Sequence, residues 1–201
     1  MELLVILLTS LLVGLASRQV ARRAVVTTAD AEVPRQEMAV IAAIIRHNLG
    51  ESPVVVPDMT VAGCAIEHNH YEKSIDDMMG GAWTRYQQEM VTDFGEKNRQ
   101  PGMIRSLFPK SVCVQVVPAR EISALFRSAG WKRFRERYPG NLGIVNVSRV
   151  GFSKTRQRAL IYMGVTMGEL AGFGRYHVLA KRLGRWRVDP GRDFVESRWI
   201  S

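Results

Sequence analysis

Residues 143–188 contain the runs GIVNVSRVGF (143–152), QRALIYMGVTM (157–167), GRYHVLAKR (174–182) and RWRV (185–188). They are rich in β-branched and aromatic residues and alternate with a period of two, as strands do. The links between them, Ser153 to Arg156, Glu169 to Phe173 and Leu183-Gly184, are short. Links of that length join antiparallel neighbours, so the segment reads as an antiparallel β-meander. In the third run Tyr176, Val178 and Ala180 make one apolar face, with Arg175, His177 and Lys181 opposite and Leu179 breaking the pattern. The expectation is a sheet with one face packed on helices and the other turned to water or a partner.

Upstream the period is helical. Met38, Ile41, Ala42, Ile45 and Leu49 form one stripe that Gly50 stops, and Trp83, Tyr86, Met90 and Phe94 form a second that ends near Asn98. Ile122, Leu125, Phe126 and Ala129 form a third; after Gly130, Trp131, Phe134 and Tyr138 continue on a short further helix closed by Pro139-Gly140. Val54-Val55-Val56, enclosed by Pro53 and Pro57, reads as an edge strand at best. Val112–Val117 reads as a strand, and Pro118 opens the helix after it. Trp199-Ile200 offers a last strand. Helices first and a meander afterwards predict an α+β domain over residues 34–201, N-terminal helices packed on the C-terminal sheet. A curved cone of the nuclear-transport-factor (NTF2-like) kind is an analogy at the level of fold alone.

Before that domain, residues 18–33 are small and polar and read as a linker, and residues 1–17 read as a signal peptide or a membrane anchor. Leu3–Ala16 is apolar except for Thr9 and Ser10. As a helix it spans about 21 Å, short of a bilayer core near 30 Å and right for the apolar region of a secretory signal. Gly14 and Ala16 place small residues where a cleavage after Ala16 needs them. Glu2 stands where a basic residue is usual, and Arg18, Arg22 and Arg23 follow the run, the arrangement of an uncleaved anchor. Both versions put the domain at the cell envelope, either exported to the periplasm or tethered to the membrane by residues 3–16.

The chain lacks the G-x-S-x-G elbow, the phosphate-binding G-x-x-x-x-G-K-[ST] loop and the H-E-x-x-H helix. Nothing in it calls for a cofactor. One metal-ligand constellation stands out: Cys64, His68, His70 and Glu72, with the two histidines on one side of an extended chain. It would suit a metal-dependent hydrolase; the alternative is a solvated polar loop. Cys64 and Cys113, the only two cysteines, can pair as a disulfide in an oxidising compartment. Otherwise Cys113, inside an apolar strand, is a buried free thiol.

Charge is unevenly placed in this chain of net charge +9. Arg127 to Arg192 holds 15 basic and 3 acidic residues, whereas Asp30 to Phe126 holds 9 and 13. Lys132, Arg133, Arg135 and Arg137 surround the aromatic stripe of the short helix, and Arg175, Lys181 and Arg182 lie on the meander. Together they predict a basic binding face for an anionic lipid or envelope polymer, or for a protein partner. A solvated, arginine-rich surface is the competing reading. Nucleic acid is disfavoured, because no common recognition signature is present.

Gly130-Trp131, Phe134, Tyr138-Pro139-Gly140, Gly143-Ile144, Ser148-Arg149-Val150-Gly151-Phe152 and Ala159-Leu160-Ile161-Tyr162-Met163 occur in that order. Gly172, Gly174, Tyr176, Val178-Leu179, Lys181, Gly184, Trp186 and Trp199-Ile200-Ser201 follow, and Asp93-Phe94 and Lys97-Asn98 precede them. This pattern resembles a family of uncharacterised bacterial proteins that are often exported or lipid-anchored. The resemblance implies an envelope location and no particular activity. A cysteine pair carried by many members is replaced here by Met167-Gly168-Glu169-Leu170-Ala171-Gly172, and no lipobox cysteine follows the apolar run. The overall expectation is a non-catalytic envelope binding protein, with a metal-dependent hydrolase or an immunity- or inhibitor-like protein as alternatives.

Overall fold

The computed structural model describes residues 33–62, 85–105 and 108–189, and the backbone of 194–197. Among the described residues three helices, α1 (Arg35–Leu49), α2 (Arg85–Lys97) and α3 (Ala119–Arg137), pack on one mixed sheet. Its strands are β1 (Val54–Pro57), β2 (Val114–Val117), β3 (Ile144–Val147), β4 (Gly151–Phe152), β5 (Arg158–Gly168), β6 (Ala171–Arg182), β7 (Arg185–Val188) and β8 (Phe194–Ser197). The order is β2-β1-β3-β5-β6-β7, with β4 on β5 and β8 on β6. The fold is α+β, and its C-terminal part is the antiparallel meander the alternation predicts. Leu183 and Gly184 make the two-residue turn between β6 and β7, both with positive φ.

Two expectations change. Val54–Pro57 is not an edge strand: β1 lies inside the sheet, parallel to both β2 and β3. Its three valines are wholly buried, as in strands covered on both faces. Pro57 is tolerated because of which way its missing donor would point. Val54 and Asp58 donate to Cys113 and Val117 on the β2 side, while Val55 donates to Gly143 on the β3 side. Pro57 falls in the second set, and the registered pairing with β3 is confined to Val55 with Ile144.

Neither face of the meander is left to water as expected. Along β5, Ala159, Ile161, Met163 and Val165 pack with Ile41, Ile44 and Ile45 of α1. The alternate residues Leu160 and Tyr162 pack with Met90 and Phe94 of α2. Helix α3 covers the same face as α2 at the other end of the sheet, where Trp131, Phe134 and Tyr138 meet Val55, Val117 and Ile144. Leu179, which breaks the alternation of the third run, marks the covered second face; it and His177 are buried on the α1 side. The domain also starts slightly earlier than expected. Val33, at the end of the presumed linker, is buried and donates its N–H to the Met103 carbonyl.

Helix α3 is bent at the predicted place. Ala129 and Gly130 leave helical geometry, and Gly130 has φ 55° and ψ −135°, a backbone that suits glycine. Past the bend Trp131, Phe134 and Tyr138 are buried, whereas before it Ile122 and Leu125 are only partly buried against the same cluster.

Candidate functional site

The polar centre of the molecule is a clasp around β4. Val147 pairs with Met163 and Gly151 with Leu160, so four residue steps on one strand oppose three on the other. That is a β-bulge, and it re-aims the side chains it contains. Arg149 turns inward and meets Glu37, at the start of α1, through two hydrogen bonds: Nε donates to Oε2 at 2.8 Å and Nη2 to Oε1 at 2.9 Å. The Val150 N–H also donates to Glu37 Oε2, at 3.0 Å. Asn98 closes the other side, accepting from the Arg149 N–H and donating to the Arg149 carbonyl. The hydrogen bonds to Glu37 hold the Arg149 pKa above its ordinary value against the opposing effect of burial.

Helix α2 satisfies the outer edge of β4 as a neighbouring strand would. Glu89 accepts from the Lys154 N–H at 3.0 Å, Asp93 accepts from the Phe152 N–H at 2.7 Å, and Lys97 Nζ donates to the Val150 carbonyl at 3.0 Å. Four helical residues rise about 6.0 Å and two strand residues about 6.6 Å, so a helical i, i+4, i+8 stripe keeps pace with a strand at every second residue. The helix comes this close because residue 151 is glycine. A Cβ there would lie 2.3 Å from the Met90 carbonyl oxygen and 2.5 Å from the Phe94 Cβ. Lys97 also pairs with Asp93 at 2.7 Å and lies 3.7 Å from Glu37, linking helices on opposite faces of the sheet.

Above the clasp, α2 and residues 152–156 border an open groove of about 670 Å³. Its lining includes Arg85, Lys97, Lys154 and Arg156 against Glu89, Asp93 and Glu96. Four of these charges answer one another, through Arg85–Glu89 and Lys97–Asp93, and Arg156 bonds to the neutral Gln36. The groove therefore has no strong excess of either sign to select an ion.

The expected basic face is divided. Lys132, Arg133, Arg135 and Arg137 are exposed on the last turns of α3, outside the buried Trp131, Phe134 and Tyr138. Arg175 is paired in register with Met163 and Lys181 with Trp186, so both stand on the α1 face of the sheet, opposite to the face α3 covers. Arg175 lies over the Phe173 ring and Lys181 over the Trp186 ring, while Arg182 reaches Asp189 at 4.0 Å. On α3, Arg133 pairs with Glu136 and Arg137 with Glu121, both at the surface. Glu121 also accepts a 2.7 Å hydrogen bond from the Tyr138 hydroxyl. Burial, with Glu121 second, pushes the Tyr138 pKa up to about 12.

Cys64, His68, His70 and Glu72 lie outside the described residues. Among the described residues no group of three or more His, Cys, Asp or Glu side chains is placed to hold a metal, and no helix is long and apolar enough to cross a membrane. The apolar run Leu3–Ala16 and Trp199-Ile200 also lie outside them. Cys113 is not the buried thiol expected: β2 begins one residue later, Val112 takes the buried place, and Cys113 is exposed. The Cys64 end of the expected disulfide falls outside the described residues.

Sequence reasoning missed the clasp as a unit, although Asp93-Phe94, Lys97-Asn98 and Ser148–Phe152 belong to the family-like pattern. Two signals were available. Glu37 shares a helical stripe with Ile41 and Ile45, and an acid on a buried stripe needs a cation. Glu89, Asp93 and Lys97 recur every fourth residue. Comparison with protein-family models, curated proteins and solved structures finds no match for this chain.

Proposed function

We propose that the protein is a non-catalytic binding module of the cell envelope that docks on an anionic surface through the end of α3. The observation that carries this reading is the arrangement of Lys132, Arg133, Arg135 and Arg137. All four are exposed on a segment whose aromatic side is locked into the core. A rigid helix presenting cations concentrates attraction for lipid headgroups or acidic polymers at little ordering cost. Arg175 and Lys181 belong to the other side of the sheet and are left out of this surface. The apolar run Leu3–Ala16 and the resemblance to exported bacterial proteins support the location.

The test is cosedimentation with phosphatidylglycerol vesicles, with phosphatidylcholine vesicles as the neutral control. Binding is expected to the anionic vesicles at low ionic strength and to fade at high salt, because the contacts are screened. Reversing two charges, K132E with R133E, is expected to weaken it at least tenfold. An absence of binding at low salt overturns the reading, as does binding that the double reversal leaves unchanged.

A further inference from the structure

A second hollow, of about 480 Å³, opens on the sheet face that α2 and α3 share. Its floor is Ile144 and Asn146 of β3 with Thr166 of β5. Ile122, Ser123, Phe126 and Trp131 of α3 form one wall, and Pro57, Met59, Thr60 and Val61 form the other. The hollow lies beside the bend at Gly130: beyond it Trp131 and Phe134 are buried, while before it Ile122 and Leu125 pack only partly against the same cluster and Phe126 is 36% exposed. Phe126 and Trp131 meet edge to face at 5.1 Å across the bend.

The lining contains no Asp, Glu, Lys, Arg or His, in a protein where charged residues make up 23% of the chain. Polar groups are few. The Thr60 hydroxyl already accepts from the Gly102 N–H, and Ser123 donates to the Ala119 carbonyl. The Asn146 carboxamide and the Thr166 hydroxyl stand on the half-buried floor, and among the described residues neither side chain makes a hydrogen bond. An apolar, aromatic-walled hollow with one or two hydrogen-bonding groups at its base has the form of a small-molecule site.

We infer that this cleft binds a small, neutral, flat and largely apolar molecule that carries a hydrogen-bonding group for Asn146 and Thr166. Charge is excluded because no counter-ion lines the site, and an ion would shed its hydration there without compensation. A ring fits because Phe126 and Trp131, packed against each other at right angles, give the wall of the cleft an aromatic surface. This site is separate from the basic residues of α3 and does not depend on the envelope reading.

The test uses the full chain and naphthalene derivatives at physiological salt. N-phenylnaphthylamine is expected to show saturable one-site fluorescence enhancement, and naphthol is expected to displace it. Naphthoate, the same ring with a carboxylate, is expected to compete at least about tenfold less well. General attraction to a chain of charge +9 would favour the anion instead. Ser123→Trp, at an exposed helical position, is expected to abolish binding with an unchanged thermal midpoint. Asn146→Leu is expected to weaken naphthol about tenfold relative to naphthalene. Absence of saturable binding overturns the proposal, as does unchanged binding in a folded Ser123→Trp variant. Naphthoate binding as well as naphthol also overturns it, and that comparison needs no variant.

Discussion

Two hollows of this domain are opposites. The groove beside α2 is lined mostly by ions, and the cleft beside α3 has none. In the groove the charges are spent on each other and on the β4 edge, so polarity there serves architecture. In the cleft Thr60 and Ser123 are bonded within the fold, and Asn146 and Thr166 are left over. A charged lining is thus not by itself a sign of a binding site, nor a neutral one a sign of mere core. The deciding quantity is how much of the polar capacity is already used.

The contrast breaks most visibly at Glu37. Glu37→Gln strands the Arg149 guanidinium in the interior, and a loss of about 3–5 kcal/mol in unfolding free energy is expected from chemical denaturation. Adding Arg149→Met should recover part of that loss, the signature of a coupled pair. A loss below about 1 kcal/mol would show that the clasp is not structural. Gly151→Ala should cost about 1–3 kcal/mol through collision with α2, read as a lower denaturation midpoint with no change in the cleft.

Tyr138 sharpens the comparison from the α3 side. Its folded pKa, about 12, lies above the ordinary tyrosine value of 10.0, so the folded state holds the phenolic proton more tightly. That contribution is fully present below about pH 10 and is lost as pH rises through about 12. Stability measured from pH 9 to 12 should fall more steeply for the unmodified chain than for Tyr138→Phe. Smallest is Gly130→Ala. A side chain at φ 55° and ψ −135° costs about 1–3 kcal/mol, and the strain is relieved by straightening α3. The variant should stay folded and lose affinity for N-phenylnaphthylamine, while Gly151→Ala keeps it.

Much of the fold is legible in the sequence where the signal is local. The period-two runs give β5, β6 and β7, the Leu183-Gly184 turn gives the β6–β7 hairpin, and the apolar stripes give the three described helices. Gly130 marks the bend within α3. Val54–Pro57 misleads, because flanking prolines are evidence about hydrogen-bond donors and say nothing of which neighbour needs them. The basic residues are all legible, but their grouping is not. A strand residue's face depends on register and on which helix arrives, and α1 arrives on the side of Arg175 and Lys181.

What the sequence alone determines here is the alternation of the strands, the helical stripes, the bend and the uneven charge. All of these depend on residues within a few positions of one another. The tertiary structure decides that both sheet faces are covered, that Glu37 reaches Arg149 across 112 positions of chain, and that a neutral cleft lies under α3. Those outcomes follow from long-range packing, in which a bulge of one residue or a glycine without a side chain selects the partner.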